Sequence, residues 1–435
     1  MTAPSPIGGA NTLQPKPLRV AIIADFVEER WPSMDLVATM LARELRSVRG
    51  AVPIEAEVLR PVFLRPLTRY ARLARSRDAC NVERALNRYV RYPLWLRRQR
   101  ARFDVFHVVD HSYAHLVNYL PVERTIVTCH DLDAFRPLLE QTSGARNTIF
   151  RAIAGRLAKG LRRAAIVSCV STATCDALLK SGIRTGDNTI VVNNGVDAET
   201  LAAGDAEAEK TAAQMLGAPR ADRIEILHVG HGEARKRIDV ALKVFAQICR
   251  EFPAARLIRA GGPLNDQLTE LAGSLGIFDR IVTLPFVERR VLAAIYRRAA
   301  LLLMPSEAEG FGLPVVEALA CGTPVVASDI PVLREVGGAT AEYCPVGDIA
   351  RWCESATAIL HERANDTAAF DRRSAAGIAW SARFSWAGHA TRMVNLYHAV
   401  ASAAAHEQFE QSDSLSAMKQ ARTGHRRGIH RQPTR

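Results

Sequence analysis

The 435-residue chain lacks long apolar runs and paired cysteines, so its sequence does not indicate a membrane-spanning protein, a secreted protein or a structural metal site. No stretch approaches the roughly 20 apolar residues of a membrane-spanning helix, and the opening MTAPSPIGGANTLQPKP lacks the apolar core of a signal peptide. The eight cysteines are scattered and form no CxxC pair, so a zinc site is not expected. These absences predict a cytoplasmic protein.

Acidic residues are also in short supply, since 57 Lys and Arg face 45 Asp and Glu, for a formal net charge of +12. Such a balance suits nucleic acid, an anionic membrane surface or phosphate-bearing ligands. No recognised nucleic-acid motif accompanies the charge, so a nucleic-acid partner is not expected.

The excess charge is concentrated in residues 60–102, which contain thirteen arginines and only two acids. Leu, Tyr and Trp residues are interleaved with the arginines. This pattern predicts contact with anionic lipid or with a phosphate-bearing acceptor, and Arg97, Arg98 and Arg100 are the candidates for that contact. A solvated helical face, on which arginine stems cover apolar surface, is the alternative.

The most informative stretch is residues 299–338, which read as strand, loop, helix and strand of a parallel sheet. Leu301–Met304 is a short apolar strand, and a loop with glycines at 310 and 312 follows it. Pro314 suits the first turn of a helix, and Gly322 suits its end. An open helix N-terminus beside a glycine loop favours a phosphate ligand.

Two carboxylates flank this loop and suggest the rest of the ligand. Glu309 lies in the loop, and Glu317 lies in the first turns of the helix. Because a carboxylate can accept two hydrogen bonds from a ribose diol, we expect a ligand with both a diphosphate and hydroxyl-rich sugars.

The segment EGFGLPVVEALACGTPVVAS resembles the signature of the retaining GT-B glycosyltransferases of the large "glycosyl transferases group 1" family, which use nucleotide sugars. The resemblance implies an α/β fold of two Rossmann-like, doubly wound domains facing each other across a cleft. Glu309 would lie near the donor sugar and Glu317 would bind the ribose. The donor-binding loop would be Gly310, Phe311, Gly312 and Leu313.

Further motifs of the same family are found in both halves of the chain. After the strand EILHVG, Arg235 and Lys236 match the cations that clamp the donor diphosphate, although the position directly after the glycine, often Arg in the family, is His231. His130 opens an HDL motif at a strand end and would face donor sugar and acceptor, so it is preferred over His111 and His115. The first loop, VEERWPSMD, lacks the family's paired glycines, and Ser33 would supply a cap or a contact there.

The resemblance also sets the predicted domain boundaries. They are a disordered lead-in at 1–17, an acceptor-side domain at 18–200, a nucleotide-sugar domain at 201–381, a helix at 382–403 that crosses back to the first domain, and a disordered basic tail at 404–435.

No metal or other cofactor is expected besides the nucleotide sugar. Asp131-Leu132-Asp133 could be mistaken for the metal-binding DxD motif of the GT-A fold. Two carboxylates alone make a weak divalent site, and Asp131 is accounted for by the His-Asp context.

The implied activity is transfer of a hexose from a nucleotide-diphospho-sugar to a glycan, lipid-linked or polysaccharide acceptor, with retention and by front-face attack. HVGHGEARKR and HDL favour mannose and GDP-mannose, with a UDP-hexose left open. The enzyme would be cytoplasmic, or peripheral on the inner face of the membrane. A catalytically silent scaffold that binds nucleotide sugar or membrane is the alternative, and a GT-B sugar-nucleotide epimerase is a further one, against which EGFGLP argues.

Overall fold

The computed structural model describes residues 16–29, 31–48, 52–140, 145–220 and 222–404. The predicted lead-in at 1–17 and the predicted tail at 404–435 lie outside the described residues, apart from positions 16, 17 and 404. The remainder forms two α/β domains, each built around a six-stranded parallel sheet. The predicted fold class is therefore confirmed.

The sheet of the first domain has the strand order β2-β1-β3-β4-β5-β6, and all its neighbours are parallel. Its inner strands β3, β4 and β5 are buried along their whole length, as expected for a parallel sheet with helices on both faces. The strands are β1 (Leu18–Ile23), β2 (Ile54–Leu59), β3 (Val105–Val108), β4 (Thr125–Cys129), β5 (Ile166–Cys169) and β6 (Thr189–Val191). The helices are α1 (Pro32–Leu45), α2 (Ala71–Ala74), α3 (Arg77–Leu86), α4 (Tyr92–Gln99), α5 (Arg136–Leu139), α6 (Ala145–Arg163) and α7 (Thr172–Lys180), with a π-helical turn at Asn87–Arg91 joining α3 to α4.

The second sheet has the order β12-β11-β10-β7-β8-β9 and is also parallel. Its strands are β7 (Ile224–Val229), β8 (Ala255–Ala260), β9 (Ile281–Leu284), β10 (Leu301–Met304), β11 (Val325–Ser328) and β12 (Glu342–Cys344). Its helices are α8 (Ala198–Ala202), α9 (Ala206–Leu216), α10 (Ile238–Glu251), α11 (Asp266–Ser274), α12 (Arg289–Arg298), α13 (Leu313–Ala320), α14 (Pro331–Gly337), α15 (Ile349–Asn365) and α16 (Thr367–Ser381).

The central strand β10 shows how the sheet divides the core of the second domain. Leu302 and Met304 point into one apolar cluster, and Leu301 and Leu303 point into the other. All four are fully buried. Since successive side chains of a strand alternate between its faces, a run of four apolar residues is what a sheet with helices on both sides requires.

The chain crosses between the domains at two adjacent places. Helix α8 packs on α12 and α13 of the second domain, so it lies in that domain as a whole although the predicted boundary at 200/201 falls inside it. Val196 pairs with Ser385 just before the last helix, α17 (386–404). Met393 and Tyr397 of α17 pack into the apolar core of the first domain.

None of the helices in the described part of the chain is long and apolar enough to cross a membrane.

Candidate active site

A cavity of about 570 Å³ lies between the two domains. The first domain contributes Asp110 and His130 to its lining, and the second contributes Gly230, Glu309 and Glu317. Asp110, His130 and Gly230 lie just after strands, and Glu309 and Glu317 lie in the loop and helix that follow β10. They are therefore at the carboxyl edges of the two sheets, which is where parallel α/β folds place ligands. The volume is in the range of small-molecule sites.

The predicted cations and the predicted loop carboxylate meet in this cavity. Nζ of Lys236 donates to Oε1 of Glu309 at 2.6 Å, and Nη1 of Arg235 lies 3.4 Å from Oε2 of the same carboxylate. Only 10% of the Lys236 side chain and 7% of the Glu309 side chain are exposed. Two elements 73 residues apart in sequence are therefore joined by a largely desolvated ion pair.

Arg235 also reaches the first domain. Its Nε lies 3.2 Å from Oδ2 of Asp133, and its Nη2 lies 2.8 Å from Oε2 of Glu233. Asp133 is the second acid of the DLD sequence, so one of its roles here is to pair with a cation across the cleft. The first acid, Asp131, accepts the backbone N–H of Asp133 at 3.0 Å.

The glycine loop approaches the first domain more closely than any side chain would allow. A Cβ on Gly310 would lie 2.0 Å from the carbonyl oxygen of His130. The Gly310 carbonyl accepts hydrogen bonds from Oγ of Ser171 at 2.8 Å and from Oγ1 of Thr174 at 3.0 Å. The glycine therefore permits a close contact between the domains.

Gly312 starts α13 in the left-handed region, with φ of 91°. Leu313 is the first helical residue, and Pro314 follows it in the first turn, as predicted. Phe311 is buried, and its ring packs edge-on against Phe384 with centroids 5.7 Å apart. Its ring therefore fixes the loop to the core.

Glu317 is held by two residues that the sequence did not single out. Its Oε2 accepts a hydrogen bond from the hydroxyl of Tyr296 at 3.2 Å, and its Oε1 lies 3.3 Å from Nη1 of Arg289. Burial raises the pKa of Glu317, against the lowering influence of Arg289 and Tyr296. The carboxylate is thus oriented in the cavity wall and costly to ionise.

His130 lies at the end of β4 and is buried. Its Nε2 donates to the carbonyl of Val109 at 2.7 Å, and because a carbonyl can only accept, this bond places the proton on Nε2. Burial lowers the pKa of His130, so the imidazole is neutral at pH 7. Its Nδ1 is then free of a proton.

His111 packs beside His130, and its Nδ1 has two alternative hydrogen-bond partners. Its Nδ1 accepts the backbone N–H of His130 at 3.2 Å but also lies 3.3 Å from Oδ1 of Asp110. Its Nε2 lies 3.4 Å from Oδ1 of Asp131. Burial lowers the pKa of His111, but the hydrogen bond to Asp131 and the charge of Asp110 outweigh it, so the pKa is raised overall. His115, in contrast, binds the carbonyl of Arg88 at 3.0 Å and lines no part of the cavity.

A second contact between the domains involves Glu335 of α14. Its carboxylate accepts the backbone N–H of Thr172 at 2.9 and 3.0 Å, and the Nδ2 of Asn193 at 3.0 Å. Ser171 is the N-cap of α7, and its side chain accepts the N–H of Thr174. A carboxylate from the other domain therefore binds the N-terminus of α7, where negative charge is favoured.

In the cavity lining, His231 packs against Phe286 with ring centroids 4.7 Å apart and the ring planes tilted by 46°. On its other side the ring centroid of Trp31, from the first domain, lies 6.3 Å away. The residue at the position often occupied by Arg in the family is thus part of an aromatic group. Ser33 lines the cavity, but the cap predicted for it is wrong, because α1 begins at Pro32 and has no side-chain cap.

Arg97, Arg98 and Arg100 are not brought to the cavity. They lie at the end of α4 and in the short turn after it, and all three are exposed. A direct role in the cleft is therefore not supported by their position.

Two family models match the chain. The model "Glycosyltransferase Family 4" matches residues 37–200, and "Glycosyl transferases group 1" matches residues 216–374. The two matches fall on the first and second domains respectively.

Curated relatives are similar over part of the chain. The D-inositol 3-phosphate glycosyltransferase of Mycolicibacterium smegmatis is 36% identical over 208 residues, which are 45% of this chain and 44% of that protein. The one from Mycobacterium marinum is 33% identical over 248 residues, covering 55% and 51%. The chain thus spans about half the length of the curated relatives it matches.

Solved structures share the fold over nearly the whole chain. Sucrose-phosphate synthase from Thermosynechococcus elongatus has a TM-score of 0.62 at 19% identity, covering 89% of this chain and 100% of that one. HepE of Anabaena, solved with UDP-glucose, has a TM-score of 0.64 at 17% identity, covering 88% and 100%. The first domain therefore matches one glycosyltransferase family model, the second domain matches the glycosyl transferases group 1 model, and the chain has the GT-B fold of these solved structures.

Proposed function

We propose that the protein is a retaining hexosyltransferase that takes its sugar from a nucleotide-diphospho-sugar. The observation that carries the proposal is the pairing of Lys236 with Glu309 beside the start of α13, in a cleft that also holds His130. The arrangement places cations, an open helix N-terminus and an imidazole around one cavity.

In this proposal the diphosphate of the donor binds at the first turn of α13. Lys236 and Arg235 supply positive charge, and the backbone around Gly312 supplies N–H donors. Both cations are held by Glu309 at 2.6 and 3.4 Å. Binding of the diphosphate exchanges part of this pairing for phosphate oxygens and leaves Glu309 beside the sugar.

The nucleoside lies against Glu317. The carboxylate, oriented by Tyr296 and Arg289, accepts hydrogen bonds from the ribose diol. The aromatic group around His231 and Phe286 lies at the same end of the second domain and offers an apolar surface for the base.

Transfer proceeds on one face of the sugar. The bond between the anomeric carbon and the diphosphate oxygen breaks, and the acceptor hydroxyl oxygen bonds to the same carbon from the same side. The leaving phosphate oxygen takes the hydroxyl proton, so the configuration is retained. Lys236 and Arg235 stabilise the charge that develops on the diphosphate, and the neutral His130 positions the reacting hydroxyls.

We propose that this reaction needs no metal ion, because the two cations and the helix start can balance the leaving diphosphate. The sequence favours mannose from GDP-mannose, with a UDP-hexose as the other donor. A glycan, lipid-linked or polysaccharide hydroxyl is the proposed acceptor. The matched curated relatives are named for an inositol phosphate, so a phosphorylated polyol belongs in the acceptor panel.

The test is release of nucleoside diphosphate from GDP-mannose, UDP-glucose and UDP-N-acetylglucosamine, with and without EDTA and with a panel of acceptors. We expect turnover of one donor that EDTA leaves unchanged, and a product with the anomeric configuration of the donor by NMR. Binding of a donor with no release under any condition would contradict an enzyme and would favour the silent scaffold. An inverted product would contradict retention.

A further inference from the structure

The outer face of the helical segment from α3 to α4 carries an exposed apolar stripe. Val82, Leu86, Val90 and Leu94 follow one another at four-residue spacing, and their exposed fractions are 55%, 40%, 46% and 53%. Residues four apart lie on one side of a helix, and the π-helical turn at Asn87–Arg91 lies in the middle of the series. We call these four residues the outer stripe.

Exposed apolar side chains are concentrated around this stripe. Of the twenty large apolar side chains that are exposed in the described part of the chain, seven lie between residues 62 and 94. The other three of the seven are Val62, Leu64 and Tyr70. Two of these flank the helix, because Asn87 bonds both the N–H and the carbonyl of Leu64 and Arg91 donates to the carbonyl of Val62. Such a concentration of exposed apolar side chains indicates a binding surface.

The charge around the stripe indicates what it binds. Six arginines in the segment from α3 to the turn after α4 form no ion pair among the residues that the structure describes: Arg77, Arg84, Arg91, Arg97, Arg98 and Arg100. The two acids of the segment offer little balance, because Glu83 is buried and accepts hydrogen bonds from Leu67 and Thr68. Asp78 is therefore the one exposed acid of the segment among these arginines. An apolar stripe among uncompensated arginines suits the interface of an anionic bilayer, where lipid tails take the apolar groups and headgroup phosphates pair with guanidinium.

The inner face of the same segment ties this surface to the active-site cleft. The hydroxyl of Tyr92 donates to the carbonyls of Ala24 and Leu59 at 2.7 and 2.9 Å, at the carboxyl edge of the sheet. Arg88 lines the cavity and pairs with Glu29 at 3.2 Å. One helical segment therefore has a cleft-facing side and an exposed apolar side.

We propose that the outer stripe docks the protein on the surface of an anionic membrane. The inference of membrane docking depends only on the exposed apolar and basic face and not on the proposed activity. The further step, that the membrane presents an acceptor to the first-domain side of the cleft, rests on the proposed glycosyl transfer. If the outer stripe lies on the bilayer, the exposed residues Arg97, Arg98 and Arg100 pair with lipid headgroups. This role agrees with their absence from the cavity lining.

The test is co-sedimentation with vesicles of phosphatidylcholine alone and of phosphatidylcholine mixed with phosphatidylglycerol. The stripe variant is Leu86→Ser/Val90→Ser/Leu94→Ser, and the matched control is Val346→Ser/Ile378→Ser, two residues of the second domain that are each 39% exposed. We expect wild type and control to bind the anionic vesicles, and the stripe variant to bind at least about tenfold more weakly. The single variants Val90→Ser and Leu94→Ser are each expected to lose part of the vesicle binding. They allow the proposal to be tested even if the triple variant folds poorly.

The same samples are measured for thermal stabilisation by nucleoside diphosphates, so a failed donor site is separated from a failed membrane surface. Equal binding of wild type and stripe variant, or no binding to anionic vesicles, would overturn the proposal. It would also be overturned by a dimer in light scattering that the stripe variant converts to monomer, because the stripe would then cover a second copy.

Discussion

The carboxylate of Glu335 in the second domain accepts the backbone N–H of Thr172 in the first, with oxygen–nitrogen distances of 2.9 and 3.0 Å. Through this contact one domain completes the N-terminus of a helix of the other. Because the free N–H groups at a helix start favour an anion, the contact stabilises the observed arrangement of the two domains.

Replacement Glu335→Ala is expected to destabilise this arrangement of the two domains by about 1–3 kcal/mol, since charge-assisted hydrogen bonds are lost. Small-angle scattering should then show a larger radius of gyration, and the amides of Thr172 and Ala173 should exchange hydrogen faster. Glu342→Ala is the control, because Glu342 pairs with Arg373 at 2.9 Å inside the second domain. Identical scattering and exchange in wild type and both variants would show that Glu335 does not hold the domains together.

Gly310→Ala tests the close approach of the two domains by steric means. The added Cβ would lie 2.0 Å from the carbonyl oxygen of His130, so the loop and the strand end must separate. We expect transfer to fall by about 100-fold, as for a displacement of about 1 Å in a reacting site, while nucleoside diphosphate still binds. Gly273→Ala is the control because nothing lies within 4 Å of its Cβ. Wild-type transfer by Gly310→Ala would show that the close contact between Gly310 and His130 is not needed for the reaction.

Lys236→Met removes the cation that lies 2.6 Å from Glu309. We expect kcat to fall by roughly 100-fold or more, because a group that stabilises the leaving charge acts mainly in the transition state. The comparison is Lys243→Met, whose side chain is 46% exposed and pairs with Asp239 at 3.9 Å. Steady-state kinetics on both variants test this expectation. Equal kcat values for Lys236→Met and Lys243→Met would show that Lys236 does not stabilise the leaving group.

Donor affinity should depend on pH through Glu317. Burial raises the pKa of this carboxyl above its ordinary 4.5, and only the ionised form accepts both hydroxyls of a ribose. We therefore expect nucleoside diphosphate affinity to fall as the pH drops through the raised pKa. The contribution of Glu317 to folding stability changes with pH in the opposite direction to the nucleotide affinity, because the folded protein favours the protonated carboxyl. This contribution is fully present below pH 4.5 and is lost as the pH rises through the pKa of the folded state.

Titration calorimetry of wild type and Glu317→Gln across the acidic range checks this dependence. The amide does not titrate, so the variant should bind weakly at every pH with a flatter profile. Parallel profiles for the two proteins would assign the pH dependence to another group, such as His111.

Much of the fold could be predicted from local patterns. The strand at 301–304 is predicted at its observed bounds, since its apolar run reflects burial on both faces of a parallel sheet. Strand β2 was missed, because Ile54–Leu59 alternates apolar and acidic residues and lies at the sheet edge, where only Leu59 is buried.

The partners of the candidate site residues could not be predicted in the same way. Motif residues such as Glu309 and Lys236 can be matched by type and spacing, but Tyr296, Arg289 and Glu335 carry no local signal. Tyr296 comes 21 residues before the carboxylate that it orients. Its role is set by the packing of α12 on α13, which a sequence pattern does not report.

The central claim is that the second domain binds a nucleoside diphosphate between Lys236, the start of α13 and Glu317. Its most direct test is titration calorimetry of GDP and UDP into wild type, Glu317→Gln and Lys236→Met. We predict that one of the two nucleotides binds wild type and that each substitution weakens it by at least about tenfold, since each removes a charge-assisted interaction. Absence of binding by either nucleotide, or equal affinity in all three proteins, would contradict the account.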